Sequence, residues 1–199
     1  MKYPSLSVVI PAAGSSQRLG QPKQLVEHNG TPRICKSVEN AFSLTPAEII
    51  VVTGAHATSI EAVTGHLPIR RVHNANWANG MGGSIANGVA AINPESFGVL
   101  ILLCDQWRVQ AADLQALAKT WQADPTRIVT AEAEGKLMPP AIFPIACFDE
   151  LRQLDGEHGA RSVINAHPGL ITAITINNAA CDLDTKAQME MLKNSTTKR

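Results

Sequence analysis

The apolar positions fall into two alternating kinds of run. Leu6-Ser7-Val8-Val9-Ile10 is short, β-branched and almost unbroken, as a strand covered on both faces reads. The same texture returns at Glu48-Ile49-Ile50-Val51-Val52-Thr53, at residues 69–73, at Val99-Leu100-Ile101-Leu102-Leu103 and at Ile128-Val129-Thr130-Ala131. Between these runs the spacing turns helical. Pro32 opens a stretch with apolar residues at Ile34, Cys35, Val38, Ala41 and Phe42, and proline suits a helix start. Residues 58–65, 84–92 and 112–121 predict three more helices, and residues 74–83 an irregular loop. The run from Val99 to Leu103 is the most apolar and predicts a central strand.

Strands alternating with helices predict an α/β fold, a Rossmann-like, doubly wound and mainly parallel sheet. Such sheets take ligands beyond the carboxyl ends of their strands. The last third differs. Pro139, Pro140 and Pro144 flank Ala141-Ile142-Phe143, so a short or edge strand is expected there. Residues 146–154 and 161–166 read as helices, 171–176 as a strand, and a final helix runs through Leu192. No flexible linker, low-complexity tract or internal repeat interrupts the chain, so a single domain is expected over residues 1–199.

Composition narrows the partners. Lysine plus arginine equals aspartate plus glutamate at 17 each, with no basic run of five. Nucleic acid as a main partner is disfavoured, because phosphate-backbone binding leaves a basic patch. The first residues lack the charged start and apolar stretch of a signal peptide. No apolar run approaches the roughly 20 residues that cross a bilayer. Cys35, Cys104, Cys147 and Cys181 are far apart, without a CxxC pair, which gives neither a disulfide nor a zinc framework. A cytoplasmic setting is expected.

Candidate chemistry sits where strands end. The first strand runs into Pro11-Ala12-Ala13-Gly14-Ser15-Ser16-Gln17-Arg18-Leu19-Gly20-Gln21-Pro22-Lys23-Gln24-Leu25. Small residues let a backbone approach a ligand, and their N–H groups with Arg18 and Lys23 suit a polyphosphate. An ordinary turn with two solvated cations is the plain alternative. Cys104-Asp105-Gln106 follows the central strand, and Asp105 is placed to hold Mg²⁺ or to cap a turn. In Asp182-Leu183-Asp184-Thr185 the two carboxylates share a side if the segment is extended; Asp184 or Thr185 equally suits a helix cap. The stretch Asn76-Trp77-Ala78-Asn79-Gly80-Met81-Gly82-Gly83-Ser84-Ile85 offers glycine N–H groups at a helix start, or a plain flexible loop.

These motifs carry a resemblance. The opening loop is similar to the AAGxSxRxGxPKxL signature of nucleotidyltransferases related to the molybdenum-cofactor cytidylyl- and guanylyltransferases. Residues 76–85 resemble the Asn-x-x-Trp-x-x-Gly-Met-x-x-Ser element of the cytidylyl branch. Leu154-Asp155-Gly156-Glu157-His158-Gly159-Ala160-Arg161 resembles Leu-x-Gly-Asp-x-Gly-Ala-Arg, with Glu157 in place of aspartate. Asp105-Gln106 matches the start of Asp-Gln-Pro, with Trp107 replacing proline. Residues 134–143 fit least well: Met138-Pro139 replaces a Gly-His or Gly-Asn pair. The resemblance spans residues 6–192.

It implies a nucleotide-diphospho-sugar transferase type of fold, with a nucleotide part to about residue 131 and an acceptor part over residues 132–193. It implies transfer from CTP to a molybdopterin-type phosphate with Mg²⁺ as cofactor. Arg18, Lys23 and Asp105 are then the catalytic residues, and Asp105 and Asp184 the metal ligands. Ala12, Ala13, Gly14, Ser15, Ser16, Arg18, Lys23, Gly80 and Ser84 bind the nucleotide; Trp77, Trp107 and Arg161 face the acceptor. Ala-Ala-Gly rather than Ala-Gly-Gly narrows the space beside the base, which favours a pyrimidine. A molybdoenzyme or its maturation factor is an expected partner. Two alternatives stay open: a guanylyl or other transferase acting on a sugar or alditol phosphate, and a paralogue that binds nucleotide or cofactor without catalysis.

Overall fold

The structure is a computed structural model that describes residues 5–196; residues 1–4, part of the stretch read for a leader, and 197–199 lie outside it. The strands are β1 (Leu6–Pro11), β2 (Glu27–His28), β3 (Thr31–Pro32), β4 (Glu48–Thr53), β5 (Arg70–His73), β6 (Gly98–Ile101), β7 (Ile128–Ala133), β8 (Lys136–Pro144) and β9 (Ile171–Thr175). The helices are α1 (Arg33–Phe42), α2 (Ala57–Thr64), α3 (Met81–Ala90), α4 (Ala111–Ala123), α5 (Phe148–Arg152), α6 (Ala160–Ala166) and α7 (Lys186–Thr196).

Seven strands form one sheet in the order β5-β4-β1-β6-β8-β7-β9, and β2 and β3 form a separate small hairpin. β5, β4, β1 and β6 are mutually parallel, as are β7 and β9. β8 runs antiparallel to both β6 and β7. The expected α/β, mainly parallel sheet is present.

The sequence texture follows from burial on two faces. Successive strand residues point to opposite sides. Val8, Ile10, Ile49 and Val51 share one core with Ile34, Val38 and Ile60. Val9, Ile50 and Val52 share the other core with Ile85, Val89 and Ile164. Each such side chain stabilises the fold by about 1.5–3 kcal/mol. α3 lies so close to the sheet that a Cβ on Gly88 would stand 2.4 Å from Val9 Cγ1.

Two expectations need correction. The proline-flanked segment is neither short nor at an edge: β8 has nine residues and lies between β6 and β7. Its register on β7 shifts between Thr130 and Ala131, from partner Ala141 to partner Met138. Pro139 and Pro140 fall in that gap, where the missing N–H groups interrupt no ladder bond. β8 pairs with β6 only over Ala141–Pro144. The second correction concerns residues 74–83: α3 already starts at Met81, after a short 3-10 turn over Trp77–Asn79.

The carboxyl ends of β1, β4, β5, β6, β7 and β9 share one edge of the sheet, and the amino end of β8 joins them because that strand is reversed. The loops along that edge make the site.

Candidate active site

The β1 loop is fixed by an amide that its sequence does not advertise. Gln24 is 1% exposed. Its Nε2 donates to the Ala12 carbonyl at 3.0 Å and to the Gly14 carbonyl at 2.9 Å. The Ser16 hydroxyl donates to Gln24 Oε1 and accepts from the Lys23 N–H at 3.1 Å. Further support comes from β4. The Ala55 N–H donates to the Ala13 carbonyl at 2.9 Å, and His56 Nε2 lies 3.2 Å from the Ser15 carbonyl. Gly54 is required here, since a Cβ would meet Trp77 at 2.6 Å and the Ala13 carbonyl at 2.7 Å.

Lys23 stands at the centre. Its Nζ lies 2.5 Å from Asp105 Oδ2 and 2.9 Å from Asp184 Oδ1. Burial pulls the ammonium pKa down, but Asp105 and then Asp184 outweigh it, so the net shift is upward and Lys23 is firmly charged. Asp182 is half-buried beside the pair. Burial first, then the charges of Asp105 and Asp184, push its carboxyl up to about 6 against the pull of Lys23. Cys104 is buried, and burial with the Asp105 charge pushes its thiol up to about 12, leaving it inert.

Two cavities meet at Lys23. The larger, of about 400 Å³, brings together Ala13, Gly14, Ser15, Trp77, Gly80, Ser84 and Asp105, with Glu157 among its lining residues. The smaller, of about 240 Å³, is lined by Ser15, Ser16, Arg18 and Asp184. The larger cavity includes Pro11, Ala13, Trp77 and Leu103 in its wall beside its polar groups, and the smaller adds the Ser16 hydroxyl and the Arg18 guanidinium. That division suits a ring in the first and an anionic tail in the second.

The amino-acid sequence matches the MobA-like NTP transferase domain over residues 8–170. The chain belongs to that family. Nicotine blue oxidoreductase of Paenarthrobacter nicotinovorans is 29% identical over 95% of this chain and 97% of its own. A probable molybdenum cofactor guanylyltransferase of Rhodopirellula baltica is 29% identical over 78% of this chain and 76% of its own. Among solved structures, Rv0371c of Mycobacterium tuberculosis superposes with a TM-score of 0.85 at 24% identity, covering 96% of this chain and 98% of that one. A manganese complex of the same mycobacterial protein superposes with a TM-score of 0.81.

Within this MobA-like chain, the other candidate residues are placed as follows. Ala12 is buried behind the loop. Trp107 does not reach the larger cavity. It is 7% exposed and packs with Leu19, Val26, Leu183 and Leu192. Its ring meets His28 edge-on at 5.8 Å and carries Arg108 at 4.6 Å. A large apolar ring at that position closes a small satellite core, which gives it packing partners in place of a ligand. Arg161 is exposed at the start of α6 and lines neither cavity. Ser84 is buried and accepts a hydrogen bond from Asn74 Nδ2 at 3.0 Å.

Gly80 and Gly82 also serve packing. The Gly82 N–H donates to the Gly156 carbonyl at 2.9 Å. A Cβ on Gly80 would lie 2.1 Å from that carbonyl oxygen, and one on Gly82 2.4 Å from the Asp155 oxygen. The turn at residues 155–159 is seated directly on the start of α3.

Two further residues were not singled out as site residues by sequence reasoning. Gln106 is 3% exposed, and its Nε2 donates to the carbonyls of Pro139 at 2.6 Å and Ala179 at 2.7 Å. It ties the Asp105 turn to β8 and to the segment leading into Asp182. Arg33 on α1 is 2% exposed, with an unpartnered Nε. Burial lowers its pKa, while Cys104 and Asp105 act to raise it, so a second cation backs the Asp105 turn. Gln24 and Gln106 each adjoin a motif residue, and that adjacency was the available signal.

Asp105 Oδ1 is buried without a hydrogen-bond partner. Among the described residues no group of three or more histidine, cysteine, aspartate or glutamate side chains has metal-site geometry. A divalent cation fits here with Asp105 and Asp184 as its protein ligands and phosphate oxygens completing the shell, the arrangement typical of nucleotide-bound Mg²⁺. No helix among the described residues is long and apolar enough to cross a membrane.

Proposed function

We propose that this MobA-like protein transfers a cytidylyl group from CTP to a molybdopterin-type phosphate, releasing pyrophosphate, within one domain. The observation that carries the reading is Lys23 bridging Asp105 and Asp184 where the two cavities meet. It is the charge pattern needed where a triphosphate must be both gripped and cut. In the reaction an acceptor phosphate oxygen forms a bond to the α-phosphorus. The bond from the α-phosphorus to the α,β-bridging oxygen breaks, and its electron pair leaves with pyrophosphate. A phosphate nucleophile is already ionised, so catalysis rests on positioning and charge.

In this reading the N–H groups of Ala13 to Ser16, held by Gln24, line the nucleotide. Arg18 takes the β- and γ-phosphates. Lys23 leaves its carboxylates for the α-phosphate and stabilises charge developing there. Asp105 and Asp184 hold Mg²⁺, which when bound neutralises phosphate charge and favours the leaving group. Ala13 keeps the ring pocket narrow, which supports a pyrimidine. Trp77, from the larger cavity, serves the acceptor side, formed by residues 132–193, and Arg161, which lines neither cavity, reaches only an acceptor that extends beyond them. The Rhodopirellula relative, described as a probable molybdenum cofactor guanylyltransferase, supports the acceptor class and not the choice of base.

The test is a matrix of the four ribonucleoside triphosphates against molybdopterin, a sugar phosphate and an alditol phosphate, scored by pyrophosphate release with Mg²⁺. CTP with molybdopterin is the expected pair. Turnover confined to GTP, or to a sugar phosphate, would overturn the base or the acceptor assignment respectively.

A further inference from the structure

We propose that Glu157 is a specificity-determining residue that accepts hydrogen bonds from the ribose hydroxyls of the nucleotide; this rests on the nucleotide reading of the larger cavity. Three observations meet at this side chain. First, the turn that carries it is held rigidly. The Gly82 N–H binds the Gly156 carbonyl, the His158 N–H binds the Asp155 carbonyl at 3.1 Å, and Gly80 and Gly82 leave no room for a Cβ beneath the turn. The backbone that carries this carboxylate is thus held beside the cavity, so only the side chain's own rotamers need ordering on binding.

Second, Glu157 lines the larger cavity, is exposed, and forms no hydrogen bond or ion pair with any described residue. Its acceptor capacity is uncommitted. An ionised carboxylate offers about four lone-pair sites and no donor. The ligand group it suits is therefore a donor, and preferably a pair of donors.

Third, the two cavities share Lys23, and Arg18 lies in the adjoining one, so the phosphates are drawn to that junction. Pro11, Ala13 and Leu103 give an apolar lining that suits a flat ring. A nucleotide with its ring on that lining and its phosphates over Lys23 leaves its sugar between them, towards the solvent-exposed carboxylate. There the vicinal 2′- and 3′-hydroxyls present two adjacent donors. A carboxylate so placed repels phosphate, which also disfavours a reversed nucleotide.

The experiment measures dissociation constants of CTP, 2′-deoxy-CTP and UTP for the full chain and for Glu157→Gln and Glu157→Ala, without acceptor. Thermal melting of each unliganded variant within about 2 °C of the parent verifies the fold. The expected result is that the parent prefers CTP over 2′-deoxy-CTP by at least about tenfold, and that both variants reduce this to threefold or less while the CTP-to-UTP ratio stays put. If the parent binds CTP and 2′-deoxy-CTP equally, or the variants keep the preference, the inference fails and the nucleotide reading stands. A variant that shifts the CTP-to-UTP ratio alone assigns Glu157 to the base and also overturns it. If the folded parent binds none of the three, nor GTP or ATP, the nucleotide reading falls and the inference with it; binding of a purine triphosphate alone overturns the base assignment, and the 2′-deoxy comparison on that purine then decides the inference.

Discussion

Replacing Lys23 with methionine keeps an unbranched side chain one atom shorter and removes its charge. In the parent, Nζ lies 2.5 Å from Asp105, and the two side chains are 20% and 10% exposed. The contact to Asp184 counts for less, because that carboxylate is 46% exposed and solvent screens it. Removing one member of a buried pair costs about 3–5 kcal/mol, since the other charge is stranded; partial exposure here lowers that to about 2–3 kcal/mol. Asp182 adds to the strain, being half-buried beside Asp105 and losing the Lys23 charge that opposes its shift. At about 2–4 °C per kcal/mol for a chain of this size, K23M should melt about 4–12 °C lower in EDTA. Turnover should fall about 100- to 1,000-fold, as for loss of a principal donor to developing charge. The double variant K23M/D105N removes the stranded charge. It should recover most of the lost stability and none of the activity. A K23M protein that melts with the parent, or a double variant no more stable than K23M, would refute the pairing argument. Recovery of turnover in the double variant would remove Lys23 from catalysis.

Gln24→Ala strips the Ala12 and Gly14 carbonyls of their donor. Leaving the buried acceptor unsatisfied should cost about 1–3 kcal/mol in urea unfolding, and the KM for nucleotide should rise more than that for acceptor; an unchanged nucleotide KM would show that the loop holds its shape without the amide. Asp182, raised from 3.8 to about 6 in the fold, gives a pH prediction. The folded state holds this proton more tightly than the unfolded one, so its contribution is fully present below about pH 4 and is lost as pH rises through about 6. In EDTA, D182N should remove that fall in urea-unfolding free energy, and identical pH–stability curves for both proteins would exclude Asp182 as its source.

The sheet was legible because both faces of β1, β4 and β6 are buried, so their sequences carry unbroken apolar runs. The opening loop and Asp105 were legible because each follows such a run directly. β8 was misjudged because the proline rule assumes an intact ladder, and a register shift between two strands leaves no mark in either sequence. Trp107 was readable as a ligand-facing or a packing ring, and the glycines after Asn79 as an anion site or a plain loop, because the partners of Trp107 and Gly82, namely Leu192 and the turn at Gly156, lie 85 and 74 residues away. Pattern within one segment does not report such contacts. The roles of Gln24 and Gln106 went unread for a related reason. A glutamine that satisfies two buried carbonyls is identical, on paper, to one in solvent.

The reversed strand has a consequence for how such a protein diversifies. β8 is bound to β6 through Ala141–Pro144 alone, while Lys136–Met138 pair only with β7. Its rear half is therefore structural foundation. Its front half is a panel hung between a β-bulge and one glutamine side chain. β1 and β6, which carry Lys23 and Asp105 on the loops that follow them, make no ladder with that panel, and Gln106 connects it to the Asp105 turn. Met138-Pro139, where this chain departs from its relatives' Gly-His or Gly-Asn pair, lies in the panel. On the proposed function, changes in that panel alter the acceptor side of the site and leave in place the β1 loop assigned to the nucleotide.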